Sequence, residues 1–354
     1  MRNKITIQDL AKELNLTAAT VSRALNNHPR ISLSTKRSVS DLAEKLNYRR
    51  NHLASSLRLG KSHTIGVIIP RADINFFGSV IHGIESIANV NGYHIFLYQS
   101  NESPSYEIQA IESFIGAKVD GILASIAKET SDFSHYLDLK KRGIPLVFFD
   151  RSKESLEIPS VVIDDFKGGF LATKHLVAEG YKRIAHISGQ QHLKIFRDRL
   201  SGYMAALEEC GFTVDRSLIY NGDVSIEAGK NAMEYFFSLA HPPDAVFAVE
   251  DFTALGVIKA AKERRINIPG QLGVIGFANE PFGEHITPGL SSIDQQTIEM
   301  GKEAFKLLLD IINSTGVRPV ESPTVVLEPI PFFRESSLKN SKTLQPIQTP
   351  ENMT

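Results

Sequence analysis

Residues 5–25 read ITIQDLAKELNLTAATVSRAL, two short amphipathic patterns separated by a break that only a sharp turn can span. Thr6 and Thr17, residues of a type that favours helix N-caps, stand before the two patterns. The apolar side chains recur at helical spacing and can share one small core: Leu10, Ala11, Leu14, Val21 and Leu25. The spacing predicts a helix-turn-helix, whose second helix presents its other face to solvent or to the major groove of DNA. A plain three-helix domain would have the same hydrophobic spacing.

The distribution of charge favours the DNA-binding interpretation. Residues 1–61 carry twelve Lys and Arg against four Asp and Glu, a net charge of +8, whereas the remaining 293 residues carry −9. The basic segment coincides with the helix-turn-helix pattern, as expected of a head that binds a polyanion. The sequence therefore predicts a nucleic-acid-binding head on an acidic body.

A third amphipathic pattern covers residues 34–46, and Ser34 or Thr35 could cap it. Residues 49–58 follow with one short apolar ridge, which is too little to fold alone. Two interpretations remain open for this stretch. It is either a simple linker helix, or a hinge that folds on DNA and inserts Leu57 between base pairs from the minor groove.

Four motifs carry a resemblance to a known family: TIQDLA from Thr6, TVSRALN from Thr20, LNY from Leu46 and NHLASSL from Asn51. In this order and spacing they resemble the lactose/galactose repressor family of bacterial transcription regulators, and the resemblance extends over residues 4–337. It implies a homodimer that binds double-stranded operator DNA and whose affinity for the operator is set by a small ligand.

The resemblance implies DNA contacts in the head and in the hinge. Ala18 and Ala19 stand where the family usually reads base edges, yet alanine can offer only apolar contact to thymine methyl groups. Arg23 and Arg30 are then the remaining base-edge candidates, and Arg49 is expected to bind phosphate. The full set of expected contact residues is Thr6, Thr17, Ala18, Ala19, Thr20, Ser22, Arg23, Asn26, Arg30, Tyr48, Arg49, Asn51, Ala54 and Leu57.

The body alternates short apolar runs with helical patterns from Thr64 onward. This alternation predicts a doubly wound α/β fold, and a body of this length should divide into two such lobes. Ligands in such folds bind beyond the carboxyl ends of the strands, here in a cleft between the lobes. The predicted fold class is thus an all-α helix-turn-helix head plus an α/β two-lobed effector domain similar to periplasmic binding proteins. The predicted strands are Ile65–Pro70, Tyr93–Tyr98, Gly121–Ala124, Pro145–Phe149, Val161–Ile163, Arg183–Ile187, Ala245–Val249 and Gly273–Phe277.

Residues beyond the predicted strands are candidate ligand contacts. Arg199 occupies the position of the family's ligand-clamping arginine, a role that suits its planar, two-pronged donor. Phe76 and Phe77 could stack on a sugar or a heterocycle, or belong to the core. Asp150 and Asp165 could accept hydrogen bonds from ligand hydroxyls, or cap helices. The set of candidates is completed by Glu250 and Asn279, each of which follows a later predicted strand.

Two departures from the family pattern leave the ligand open. Glu250-Asp251 replaces the usual Asn-Asp, and Ala278 stands where the family commonly places an Asp. Relative to the family pattern, the chain loses a carboxylate at Ala278 and gains one at Glu250. The ligand of a known family member therefore cannot be assigned to this chain. A sugar or sugar derivative is the favoured effector class and a purine is the second. Both inducer and corepressor action remain open.

Signatures of other protein classes are missing from the sequence. It has no Walker-type phosphate loop, no Gly-x-Ser-x-Gly elbow and no Gly-x-Gly-x-x-Gly turn, so neither catalytic residues nor a cofactor are expected. Its histidines are scattered and Cys210 is its single cysteine, so no metal site is expected. A secreted sugar receptor is an alternative, but the first residues form no apolar signal segment and no apolar run reaches roughly 18 residues. A cytoplasmic protein without a membrane span is expected.

The expected domain boundaries are 1–48 for the DNA-binding head, 49–61 for the hinge and linker, 62–337 for the ligand-binding and dimerisation body, and 338–354 for a polar, disordered tail. The tail lacks the leucine heptads of a tetramer-forming coiled coil, which favours a dimer. The dimer interface could use an outer helix such as Phe76–Val90, whose apolar residues could equally be core.

Overall fold

The computed structural model describes residues 5–48, 61–314 and 323–339. The chain forms two compact units that divide between Ser62 and His63. Four of the expected DNA contacts lie outside the described residues: Arg49, Asn51, Ala54 and Leu57.

Three helices form the first unit: α1 (Ile7–Glu13), α2 (Ala18–Leu25) and α3 (Leu33–Lys45). Thr6 and Thr17 cap α1 and α2, since each side-chain oxygen accepts a backbone N–H of the first turn. The cap of α3 is Ser32 rather than Ser34 or Thr35, and its Oγ accepts the Thr35 N–H at 3.2 Å. The buried core beneath the three helices is small: Leu10, Ala11, Val21, Ala24, Val39 and Ala43.

The second unit contains two α/β lobes. The strands of the first lobe are β1 (Thr64–Ile69), β2 (His94–Gln99), β3 (Gly121–Ala124), β4 (Leu146–Phe149), β5 (Ser160–Ile163) and, much later in the chain, β11 (Thr324–Leu327). They form one parallel sheet in the order β11-β5-β4-β3-β1-β2. The helices of this lobe are α4 (Asn75–Val90), α5 (Pro104–Ala117), α6 (Ser134–Arg142) and α11 (Thr297–Asn313).

The second lobe has a four-stranded parallel sheet. Its strands are β6 (Ile184–Ser188), β7 (Ile219–Asn221), β8 (Ala245–Ala248) and β9 (Gly273–Ile275), in the order β7-β6-β8-β9. A separate antiparallel pair joins β10 (Ser292–Asp294) to β12 (Ile330–Phe332). The helices are α7 (Asp165–Ala178), α8 (Lys194–Glu209), α9 (Ile226–Ser238) and α10 (Asp251–Glu263).

The order of elements takes the chain from one lobe to the other after β5, after β10 and after β11. As a result α11 and β11 complete the first lobe, although they follow the second lobe in sequence. Four side chains of α11 belong to the first lobe's core: Met300, Ala304, Phe305 and Leu308. Every residue of β3, β4 and β8 is buried, which explains why the strands read as continuous apolar runs.

Helices α7 and α8 approach closely because a glycine of each faces the backbone of the other. A Cβ atom on Gly169 would overlap the carbonyl oxygen of Arg199, and one on Gly202 would overlap that of Phe166. This approach fixes Arg199 of α8 beside the first turn of α7.

Candidate functional site

One face of α2 carries half of the described DNA-contact candidates. Ala19, Arg23 and Asn26 are exposed on it, and Ala18 and Ser22 are half-buried. These positions recur at helical spacing, so the structure brings them together on one surface. One polar side chain on this surface already has a hydrogen-bond partner in the protein, since the Asn26 amide donates to the Ser22 carbonyl at 2.8 Å.

The remaining head candidates lie around α2 in different surroundings. Thr17 and Thr20 share a hydrogen bond of 3.0 Å between their hydroxyls, and Thr6 is exposed at the start of α1. Arg30 is exposed in the turn before α3. Tyr48 is half-buried and packs against the core of the head.

Arg199 lies buried in the second lobe, with 2 % of its surface exposed. Its Nε donates to Asp165 at 2.8 Å, its Nη1 to the Val249 carbonyl at 2.8 Å and its Nη2 to the Gln295 side chain at 3.1 Å. Three protein acceptors thus hold the guanidinium. They tie α8 to the first turn of α7, to the end of β8 and to the crossing segment after β10.

Two candidate aspartates line the cavity, Asp150 of the first lobe and Asp165 at the start of α7 in the second. Asp150 follows β4 with a φ of 61°, and it accepts the Ser125 hydroxyl at 3.2 Å. Asp165 begins α7, while its neighbour Asp164 caps that helix by accepting the Lys167 N–H at 2.8 Å. The helix cap is therefore Asp164 and not Asp165, and the Asp165 carboxylate faces Arg199.

Burial dominates the electrostatics of these two carboxylates. It raises the pKa of Asp165 to about 6, although the charge and the hydrogen bond of Arg199 act to lower it. The charge of Asp150 raises the pKa of Asp165 further. Burial likewise raises the pKa of Asp150, against the lowering effects of Arg151 and Arg199. Both carboxyl groups therefore lie in a water-poor site, where hydrogen bonds to them are strong.

Three more carboxylates cluster in the second lobe. Burial raises the pKa of Asp251 to about 7, and the charges of Glu250 and Glu280 add to the effect. Burial also raises the pKa of Glu250 and of Glu280. Glu250 caps α10 by accepting the Thr253 N–H at 2.9 Å. Asp251 accepts the Ser292 hydroxyl and the Glu280 N–H, both at 2.7 Å.

Glu280 is a cleft residue that the sequence analysis did not single out. It is 5 % exposed, and its carboxylate accepts a hydrogen bond from the Asn75 side chain, which belongs to the first lobe. The sequence did contain a signal for Glu280, because this residue stands two residues after Ala278, where the family's usual carboxylate is missing. Asn279, by contrast, is committed to neighbouring side chains, since it donates to Asp294 at 2.8 Å and accepts from Arg334 at 2.9 Å.

Phe76 and Phe77 belong to the hydrophobic core of the first lobe. Their exposed fractions are 8 % and 2 %, and the two rings meet edge to face with centroids 5.0 Å apart. They therefore expose little of their surface to a ligand.

A cavity of about 590 Å³ opens between the lobes beside Asp150 and Asp165. The lobes contact each other at the border of this cavity, where Nε2 of His192 lies 2.9 Å from the Lys128 carbonyl oxygen. The lining also includes residues that the sequence analysis did not select: Thr130, Phe133, Lys153 and Arg197. Nothing in the sequence distinguishes these residues from ordinary surface residues. They line one cavity only because the two lobes face each other.

Two family models match the chain. One, described as bacterial regulatory proteins of the lacI family, matches residues 6–51. The other, described as periplasmic binding proteins and sugar binding domain of the LacI family, matches residues 62–336. The chain belongs to the LacI family. The helix-turn-helix head and the two-lobed α/β body predicted from sequence are thereby confirmed.

Relatives extend along nearly the whole chain. Catabolite control protein A of Priestia megaterium is 35% identical over 94% of this chain and 99% of its own length. The HTH-type transcriptional repressor CytR of Escherichia coli K12 is 34% identical over 86% of this chain and 89% of its own. The solved complex of the transcriptional regulator CelR with cellobiose matches with a TM-score of 0.70 and 27% identity, covering 94% of this chain and 99% of that one.

This LacI-family chain is thus a DNA-binding transcriptional regulator with a body for small ligands. The relatives are regulators rather than enzymes, in agreement with the predicted function. Among the described residues, no helix is both long and apolar enough to cross a membrane. In the same residues, no group of three or more His, Cys, Asp or Glu side chains is arranged to hold a metal ion.

Proposed function

We propose that the cleft binds a polyhydroxylated ligand, a sugar or sugar derivative, and that its occupancy sets the affinity of the head for operator DNA. The observation that carries this proposal is the convergence of buried carboxylates from both sides of the cleft. Asp150 and Asp165 line the cavity, and Glu250 lies close enough to Arg199 for their charges to interact. Carboxylates accept two hydrogen bonds each, which suits adjacent hydroxyls of a sugar.

The charges at the carboxylate-lined end of the cleft favour a neutral group of the ligand. Arg199 is engaged by Asp165 and by two other protein acceptors, and the Nε of Arg151 lies 3.8 Å from the Asp150 carboxylate, so both cations at this end already have acidic partners in the protein. An anionic group placed here would add repulsion to carboxylates whose pKa burial already raises. A purine is the second candidate, but Phe76 and Phe77 are core residues that offer little surface for stacking.

The DNA side of the proposal rests on the exposed face of α2. Arg23 and Arg30 read base edges, Ala18 and Ala19 contact thymine methyls, and the hydroxyls of the head bind phosphate. Two copies of the chain bind a two-fold symmetric operator in the cytoplasm. Ligand closure changes the spacing of the two hinges, so the ligand must favour one spacing over the other.

The test is a thermal-shift screen of the full chain against neutral sugars, sugar acids and nucleosides. A sugar at a hundredfold excess over its dissociation constant should stabilise the body by roughly 2.7 kcal/mol. Asp150→Asn should abolish the response, and the matched control Asp138→Asn, on the exposed face of α6, should keep it. Responses to nucleosides alone, or an undiminished response of Asp150→Asn, would contradict the proposal.

A further inference from the structure

The lining of the cavity includes more than the two carboxylates of Asp150 and Asp165. We call the part lined by Thr130, Phe133, Lys153, Ser155, His192 and Arg197 the outer chamber. The volume of about 590 Å³ lies within the range of sites that enclose drug-sized ligands, so a ligand of two sugar rings can fit. The outer chamber therefore has room for a second ring.

The outer chamber contains charges of both signs, since Lys153, Lys194 and Arg197 line the cavity together with Glu154 and Glu157. Lys194, which lines the cavity, is neutralised by Asp198 and by Glu154, the latter at 3.5 Å. Arg151 donates to Glu102 at 2.7 Å. Lys153 and Arg197 are exposed and line the same cavity, and within the described parts of the chain neither forms an ion pair.

The surroundings of these two cations suit an acidic sugar ring. Phe133 is half-buried in the wall, and Lys153 stands 5.7 Å from its ring centroid. Since Lys153 lies over the Phe133 ring, a sugar ring here is bound through hydrogen bonds that the hydroxyls of Thr130 and Ser155 can exchange with its substituents. Lys153 belongs to the first lobe and Arg197 to the second, so one anion held by both would bridge the lobes.

We propose that the cleft takes an acidic oligosaccharide of at least two units. A neutral ring occupies the carboxylate-lined inner end, and a carboxylate or sulfate of the next unit lies between Lys153 and Arg197. The proposal rests on the proposed function, because it assumes that the cleft is a sugar site. It adds that charge in the outer chamber selects the ligand and helps to close the lobes, since Arg197 can hold two anionic oxygens at once.

The experiment compares matched disaccharides by calorimetry on the full chain. The pairs are cellobiose with cellobiouronic acid and lactose with monosulfated lactose, in which only one ring is charged, so that carboxylate and sulfate are separate arms. At least one acidic member should bind about tenfold more tightly than its neutral partner, and the difference should shrink as salt rises.

Two double variants decide which residues are responsible. Lys153→Ala with Arg197→Ala should reduce the acidic disaccharide to the affinity of its neutral partner and leave the neutral one unchanged. Lys141→Ala with Arg142→Ala removes the same charge from the exposed end of α6 and should change neither. Equal binding of every pair, or equal losses in both double variants, would overturn this proposal alone. Binding by no disaccharide would overturn the proposed sugar site as well.

Discussion

The guanidinium of Arg199 lies over the ring of Phe277, with its Cζ atom 3.6 Å from the ring centroid. The ring covers one face of the guanidinium while Asp165, Val249 and Gln295 take its N–H groups at the edge. Arg199 is therefore a rigid part of the second lobe before any ligand arrives. We expect Arg199 to hold the Asp165 carboxylate in the cleft, in addition to any direct contact with the ligand.

Loss of this arginine should destabilise the body. Arg199→Met leaves the Asp165 carboxylate buried without its cation, and we expect the free energy of unfolding in urea to fall by roughly 3–5 kcal/mol. Asp165→Asn in the same chain removes the stranded charge, so the double variant should recover part of the loss. Additive losses in this double-mutant cycle would mean that the two side chains are not coupled.

Asp251 should make the stability of the body depend on pH. Its pKa is raised to about 7, so the folded chain holds a proton that the unfolded chain releases near pH 4. Its contribution to the free energy of unfolding therefore falls as the pH rises from about 4 to about 7, by at most roughly 4 kcal/mol. Asp251→Asn should gain stability relative to the parent across this window, measured by urea unfolding at each pH.

Asp132→Asn is the control for that experiment. The Ser134 N–H and hydroxyl lower the pKa of the exposed Asp132 carboxyl. Its contribution is present above the unfolded pKa and is lost only as the pH falls below about 4, so the relative stability of Asp132→Asn should stay nearly constant from about pH 5 to about pH 8. A parent and an Asp251→Asn variant that differ by a constant amount from pH 4 to pH 8 would refute the assignment.

Close packing of α7 on α8 should make Gly169→Ala destabilising. The added Cβ would overlap the Arg199 carbonyl oxygen, so the helices must separate, at a cost of about 1–3 kcal/mol in thermal or urea unfolding. Gly116→Ala is the matched control, because a Cβ there meets nothing within 4 Å and the residue lies in α5. The control should gain about 0.5–1 kcal/mol, and similar effects of the two substitutions would contradict the packing argument.

On the DNA side, Arg23→Ala should relax sequence preference, because the exposed Arg23 is the base-edge candidate of α2. Arg49→Ala should weaken binding to all duplexes alike and flatten the dependence of affinity on salt, as expected for a phosphate contact. Anisotropy titrations of matched and scrambled duplexes across salt concentrations compare the two variants. The same pattern in both would remove the distinction between base and phosphate contacts.

The sequence predicted those parts that depend on local spacing. Thr6 and Thr17 were identifiable as caps because a cap depends on the few residues after it, and Asp165 was identifiable because it follows a strand. Glu280 was missed because its hydrogen-bond partner Asn75 is far away in sequence and lies in the other lobe. Phe76 and Phe77 illustrate the same limit, since an aromatic residue at a helix start is compatible with both core and cleft. Lys153 and Arg197 look like surface residues until the two lobes face each other.

The most direct test of the account is a titration of the full chain against a duplex selected from a random library, with and without a sugar that shifts its thermal unfolding. The account predicts enrichment of related two-fold symmetric sequences and a change in operator affinity of roughly 5- to 150-fold at saturating sugar. No enriched sequence even at low ionic strength, or an operator affinity that the sugar leaves unchanged, would contradict it.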